Sequence, residues 1–110
     1  MAHKLFTIKK RTTFVQIRNK GIFYRSNNFN IQILIDQDLD NNIGVGYTAT
    51  KKIGNAVNRN RAKRIMRELA KKILIKGKIN TYYVLIAKTS ILDSNFNDLL
   101  KELKKSIDVK

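Results

Sequence analysis

The chain contains no cysteine, a single histidine and few acidic residues, and these absences narrow the chemistry it can perform. Of its 110 residues none is Cys, one is His, and Asp and Glu together number 8. The lack of Cys excludes disulfides and Cys-based zinc sites, and one His excludes nearly every His-based metal site or nucleophile–base pair. We therefore predict no metal ligand and no catalytic residue in this chain.

Long apolar runs are also missing. The longest uninterrupted one, residues 82–87, is too short to span a bilayer. The first residues lead into mixed polar sequence instead of the apolar region of a signal peptide, and neither end carries a lipidation motif. We therefore expect a cytoplasmic protein that does not act at a membrane.

Positive charge is what the sequence has in excess. The chain carries 23 Lys and Arg residues, which gives a formal net charge of +15 and a pI near 10.4. Its hydrophobic content of 43% and its length predict one folded domain over residues 1–110. An extended anion is the expected partner, with nucleic acid as the leading candidate and an anionic membrane surface as the alternative.

The charge is concentrated in residues 51–72, which hold nine of the Lys and Arg residues and one acid. Gly54 permits backbone conformations that other residues disfavour, and Asn55 is a good N-cap, so a helix is predicted to start at Ala56. No helix-breaking residue follows before Gly77, so the helix is predicted to end before that residue. At helical spacing one side is apolar and the other basic. The apolar side comprises Ala62, Ile65, Met66, Leu69 and Ile73, and the basic side comprises Asn60, Lys63, Arg64, Arg67 and Lys71.

A solvated helix face is the simplest interpretation of such a charge pattern. Solvated faces usually mix signs at i, i+4, whereas here only Glu68, between Arg64 and Lys72, offers such pairing. The unbalanced charge therefore favours a binding surface for a polyanion.

The remaining pattern predicts a helix from Thr12 or Thr13 to Asn19, strands at 22–25, 29–36, 43–50 and 82–87, and a last helix starting at Asp93 or Ser94. The order α-β-β-β-α-β-α predicts an α+β fold, a two-layer α/β sandwich with helices covering one sheet face. The loop 36–42 contains three acids, which we interpret as turn residues and not as a nuclease site.

Residues 53–67 resemble the signature of the protein subunit of bacterial ribonuclease P, centred on Arg59-Asn60-Arg61. The resemblance includes Lys51-Lys52, the turn Gly54-Asn55-Ala56, then Lys63-Arg64 and Arg67. It extends to the N-terminal part through Ile8-Lys9-Lys10, Phe14, Ile17 and Gly21. The pattern combines a turn, a cap and ordered basic positions, so it is far more specific than a basic patch.

The resemblance implies a protein that assists a catalytic RNA. It implies a left-handed βαβ connection around the basic helix, although right-handed connections are the general rule. It also implies that this protein binds ribonuclease P RNA and the 5′ leader of precursor tRNA as a monomer in a 1:1 complex with the RNA. Hydrolysis of the phosphodiester would then take place on the RNA subunit with bound Mg²⁺, and the product would be the mature tRNA 5′ end.

Two sets of site residues follow from the resemblance. The set expected to bind the catalytic RNA is Lys51, Lys52, Asn55, Arg59, Asn60, Arg61, Lys63, Arg64 and Arg67. The set expected to bind the leader, in a cleft between the first helix and the sheet, is Phe14, Lys9, Lys10, Arg18 and Gln32. From the sequence, Phe14 is equally expected to line the cleft or to be part of the hydrophobic core.

Three other functions stay open from the residues alone. A ribosomal protein would share the charge and the compact fold but would lack the Arg-Asn-Arg signature. A stand-alone nuclease would depend on Asp36, Asp38 and Asp40. A DNA-compacting protein would bind duplex DNA as tightly as structured RNA.

Overall fold

A computed structural model describes residues 4–108 as a five-stranded sheet with three α-helices. The strands are β1 (Leu5–Thr7), β2 (Ile22–Arg25), β3 (Phe29–Ile35), β4 (Ile43–Thr48) and β5 (Thr81–Ala87). The helices are α1 (Arg11–Lys20), α2 (Ala56–Ile73) and α3 (Phe96–Asp108). The α+β class and the order of the predicted elements are confirmed, and β1 is an additional strand.

The sheet has the strand order β1-β4-β5-β3-β2. β4 and β5 are parallel neighbours connected through α2, so the three elements form the predicted βαβ unit. β1 extends the sheet in parallel beside β4, while β3 is antiparallel to both β5 and β2. The apolar strand β5 therefore lies in the middle of the sheet, between β4 and β3.

The main core lies between one face of the sheet and helices α2 and α3. Alternate strand residues supply the sheet side, because successive side chains of a strand point to opposite faces. Buried sheet residues include Ile31, Val45 and Leu85, and they pack with the buried side of α2 and with Leu99 and Leu103 of α3. The buried residues of α2 are Ala62, Met66, Leu69 and Ala70.

A smaller core lies on the opposite face, where α1 packs. Ile17 of α1 and Val84 of β5 are buried there together with Ile8. Val84 alternates with Tyr83 and Leu85, which point into the main core, so α1 lies on the other side of the sheet from α2 and α3. The expectation that all helices share one face is thus wrong for α1.

Glu102 of α3 fixes that helix to the turn between β2 and β3. Its carboxylate accepts hydrogen bonds from the Ser26 hydroxyl, from the Asn28 backbone N–H at 2.8 Å and from Asn28 Nδ2 at 2.7 Å. Lys88 Nζ donates to the Ser26 carbonyl oxygen at the same turn. These bonds hold the end of β5, the turn and α3 in one arrangement.

Candidate nucleic-acid interface

The basic helix starts at a well-formed cap. Gly54 has φ +126°, a backbone conformation that side-chain-bearing residues rarely adopt. Asn55 Oδ1 accepts a hydrogen bond from the Asn58 N–H at 3.0 Å, which confirms the predicted N-cap. Arg59 Nη1 donates to the Gly54 carbonyl oxygen at 2.7 Å, so the first Arg of the Arg-Asn-Arg triplet folds back over the turn.

The predicted basic side of α2 faces away from the core. Asn60, Arg61, Arg64 and Arg67 are exposed, and Lys63 is half-buried. Arg61 Nη2 donates to the Leu92 carbonyl oxygen at 3.3 Å, a contact that leaves its other N–H groups available.

Few acidic side chains neutralise the positive charge of this surface. Glu68 lies 3.7 Å from Lys71 Nζ, instead of pairing with Arg64 or Lys72 as its spacing suggested. Among residues 4–108, no carboxylate comes within ion-pair distance of Arg59, Arg61 or Arg64. The outer face of α2 therefore carries a field that attracts phosphate, strengthened near its first turn by the free peptide N–H groups.

On the opposite face of the sheet, Phe14 lies directly over Gly46 of β4. A Cβ atom placed on Gly46 would lie 2.4 Å from Phe14 Cε1 and 2.7 Å from Phe14 Cζ. The ring is half-buried and packs with the smaller core around Ile17 and Val84. Phe14 is therefore packed against the smaller core, and its half-burial leaves part of the residue exposed.

The other predicted leader-binding residues are distributed around α1. Lys9 and Lys10 immediately precede the helix, and Arg18 lies one turn after Phe14; all three are exposed. Gln32 is half-buried on the sheet face that α1 covers, paired with Val84 of β5. Because Gly46 also pairs with Val84, Gln32 lies two strand spacings, about 10 Å, from Gly46, the residue that Phe14 covers.

A pocket of about 670 Å³ opens where β4 and β5 end. Lys51 and Lys52 line it, although the sequence placed them with the α2 surface. Asn30 and Ile86 reach it from the sheet face on which α1 packs, and Lys88 borders it from the end of β5. Lys88 is not among the residues predicted from the sequence, although its position directly after a buried strand was a usable signal.

The acidic loop forms a turn. Asp36 Oδ1 accepts a hydrogen bond from the Asp38 N–H at 2.9 Å, and Asp40 has φ 54°. In the described range 4–108, no three His, Cys, Asp or Glu residues are grouped closely enough to hold a metal ion. The hydrogen bond at Asp36 and the left-handed conformation of Asp40 are the turn geometry that the sequence predicted for this loop.

Three tyrosines have shifted pKa values, and all shift in the same direction. Burial raises the pKa of Tyr83, opposed by the Lys78 N–H that donates to its hydroxyl at 3.1 Å. Burial also raises the pKa of Tyr47, opposed by the Arg67 charge. At Tyr82 burial and the nearby Asp36 carboxylate both raise the pKa. These hydroxyls therefore stay neutral at physiological pH and are poor nucleophiles.

The comparisons with known proteins agree with one another. The Ribonuclease P family model matches residues 2–109. The ribonuclease P protein component of Syntrophus aciditrophicus is 38% identical over 96 residues, covering 87% of this chain and 79% of the relative. That of Nitratiruptor is 31% identical over 102 residues, covering 93% and 89%.

Solved structures show the same fold. The RNase P protein of Staphylococcus aureus matches with a TM-score of 0.80 and 25% identity, covering 94% of this chain and 93% of that one. The RNase P protein of Thermotoga maritima matches with a TM-score of 0.82 and 18% identity, covering 94% and 96%. Over residues 4–108, no helix is long and apolar enough to cross a membrane. The chain belongs to the family of ribonuclease P protein components.

Proposed function

We propose that the chain binds ribonuclease P RNA through the outer face of α2. The observation that supports this proposal is the cationic surface around the Arg-Asn-Arg signature, in which Asn60 and Arg61 are exposed and Arg59 is half-buried. Within the described residues, no carboxylate is within ion-pair distance of the two arginines. Guanidinium groups such as that of Arg64 bind phosphate through paired N–H donors, Asn60 can bond to sugar or base edges, and Lys63 acts as a point charge. Such a surface fits folded RNA, whose phosphates lie close together.

The opposite face of the sheet is proposed to hold the single-stranded 5′ leader of precursor tRNA. Support comes from the partial exposure of Phe14, whose aromatic side chain is of a type on which bases stack, and from the cations before and along α1. Lys51, Lys52 and Lys88 border the pocket where this face meets the start of α2. Because the two surfaces lie on opposite sides of the sheet, one protein monomer can contact both RNAs at once.

Hydrolysis is proposed to take place on the RNA subunit. Among the described residues, no three His, Cys, Asp or Glu side chains are grouped closely enough to hold a metal ion. We assign Mg²⁺ to the RNA, in line with the family resemblance, and attribute no step to a side chain of this protein. The protein would offset the repulsion between two RNAs and so lower the Mg²⁺ concentration needed. Contacts to the leader, which mature tRNA lacks, would favour binding of the precursor and release of the product.

The experiment that tests this function compares precursor and mature tRNA binding to the reconstituted holoenzyme. Phe14→Leu keeps most of the apolar packing around Ile17 and removes the aromatic ring. We expect a loss of about 1–3 kcal/mol in precursor affinity, and no change for mature tRNA. Ile17→Val, in the same small core but fully buried, is the matched control. An equal loss for both tRNAs would remove Phe14 from the leader site.

A further inference from the structure

We propose that the groove between α2 and the edge strand β1 binds one unpaired nucleotide of an RNA that lies along α2. The proposal rests on the proposed function, because it assumes that the outer face of α2 meets RNA. It adds a specific subsite to that face, located at the C-terminal part of the helix and away from the Arg-Asn-Arg triplet.

The groove exists because β1 is short and α2 does not cover it. Its volume is about 300 Å³, room for about ten water molecules. Residues of β1 and of the segment after α2 form its mostly apolar walls, and the Tyr47 ring of β4 lines it as well. On the α2 side the groove is lined by two cationic side chains. The lining residues are Leu5, Phe6, Thr7, Tyr47, Arg67, Lys71 and Ile75.

Tyr47 and Arg67 form a stacking platform in this groove. Arg67 Cζ lies 5.8 Å from the centre of the Tyr47 ring, within the range of a cation–π contact. Tyr47 is half-buried in the main core, so it is a fixed support for the exposed guanidinium group. Bases that leave an RNA helix stack on guanidinium planes as well as on aromatic rings, and this pair offers a guanidinium plane supported by an aromatic ring.

The charges on the groove favour a nucleotide over an apolar peptide. Arg67 and Lys71 are one helical turn apart, and they continue the basic side of α2 that passes through Asn60 and Arg64. No acid is among the lining residues. Lys71 pairs with Glu68 at 3.7 Å, but both side chains are at least half exposed, and such a pair is weak enough to yield to a phosphate.

The test uses the full-length protein and two short RNA duplexes that differ by one bulged 2-aminopurine. Stacking of one base predicts that the bulged duplex binds about 5- to 150-fold more tightly than the fully paired duplex, with quenching of the 2-aminopurine fluorescence. Tyr47→Leu should reduce this preference several-fold and leave the affinity for the paired duplex within about twofold. Arg67→Lys keeps the charge but loses the planar guanidinium group, so the ratio of the two affinities should also fall several-fold, and this ratio is the measured preference. Tyr47→Phe should retain it, and Arg64→Lys is the charge-matched control outside the groove.

Equal affinity of the wild-type protein for the two duplexes would overturn the proposal, as would a preference that survives both groove variants. Competition by polyglutamate as strong as that by polyadenylate, at equal ionic strength, would show a charge effect only and would also overturn it. Arg67 is exposed, so Arg67→Lys stays informative even if Tyr47→Leu unfolds. Reconstitution of holoenzyme activity is measured separately, so failure of this subsite is distinguishable from failure of the proposed function.

Discussion

Gly46→Ala should damage the leader site by displacing Phe14, although Gly46 itself is not expected to contact RNA. The new methyl group would lie 2.4 Å from Phe14 Cε1, whereas carbon atoms in ordinary contact are about 3.4 Å or more apart. The ring must therefore move by about 1 Å or more. The Phe14 ring belongs to α1, and the buried Ile17 holds that helix in place on the sheet. The ring must therefore move within the proposed cleft, which changes the shape of the cleft.

The size of the effect follows from two opposing terms. Overpacking lowers the free energy of unfolding by about 1–3 kcal/mol. Replacing glycine by alanine also reduces the conformational entropy of the unfolded chain, which raises the free energy of unfolding by about 0.4–1 kcal/mol. A net destabilisation of about 1–2 kcal/mol is expected, which lowers the midpoint of thermal unfolding by roughly 4 °C or more per kcal/mol. Loss of part of a base-stacking contact should lower precursor tRNA affinity by about 1–2 kcal/mol.

Gly44→Ala is the matched control, two residues away on the same face of β4. Its methyl group would meet the rings of Tyr82 at 2.7 Å and Phe6 at 2.9 Å, and it leaves Phe14 alone. Both variants should lose comparable stability, but only Gly46→Ala should lose the preference for precursor over mature tRNA. Full preference in folded Gly46→Ala, or equal loss in both variants, would refute the reasoning.

Other predictions concern α2 and α3. Arg59→Ala should weaken binding of ribonuclease P RNA while costing only about 0.5–1.5 kcal/mol of stability, since the lost bond to Gly54 is exposed; absence of a thermal unfolding transition would instead make Arg59 structural. Arg64→Ala should reduce the salt slope of RNA binding by about 0.7–0.9 if it contacts one phosphate, and an unchanged slope would place it outside the interface. Glu102→Gln should cost about 1–3 kcal/mol in urea unfolding, because its amide would face the Asn28 donors; unchanged stability would contradict the role assigned to that carboxylate.

Local patterns were enough to predict most of the fold. The alternation in β3, the apolar run of β5 and the cap of α2 at Asn55 each depend on neighbouring residues, so the sequence carries them directly. β1 was missed because its three residues have no pattern of their own. It is a strand through pairing with β4, in which Ile43 N donates to the Lys4 carbonyl oxygen at 2.9 Å.

The arrangement of the candidate sites was harder to predict. The basic side of α2 follows from helical spacing, and the structure exposes it as expected. The position of α1 depends on long-range packing of Ile17 on Val84, and no spacing rule reveals it. A glycine within a strand, such as Gly46, can mark either a bulge or a close approach, and only the structure shows that Gly46 makes space for Phe14. The same holds for the pocket that brings Lys51 near Lys88.

The central claim is that this protein assists a catalytic RNA and performs no cleavage itself. Its most direct test is cleavage of a 5′-extended precursor tRNA at low Mg²⁺ by the purified protein, by bacterial ribonuclease P RNA, and by the two together. We predict efficient cleavage only in the mixture. Cleavage by the protein alone that survives removal of contaminating RNA, or a mixture no faster than the RNA alone, would contradict the claim.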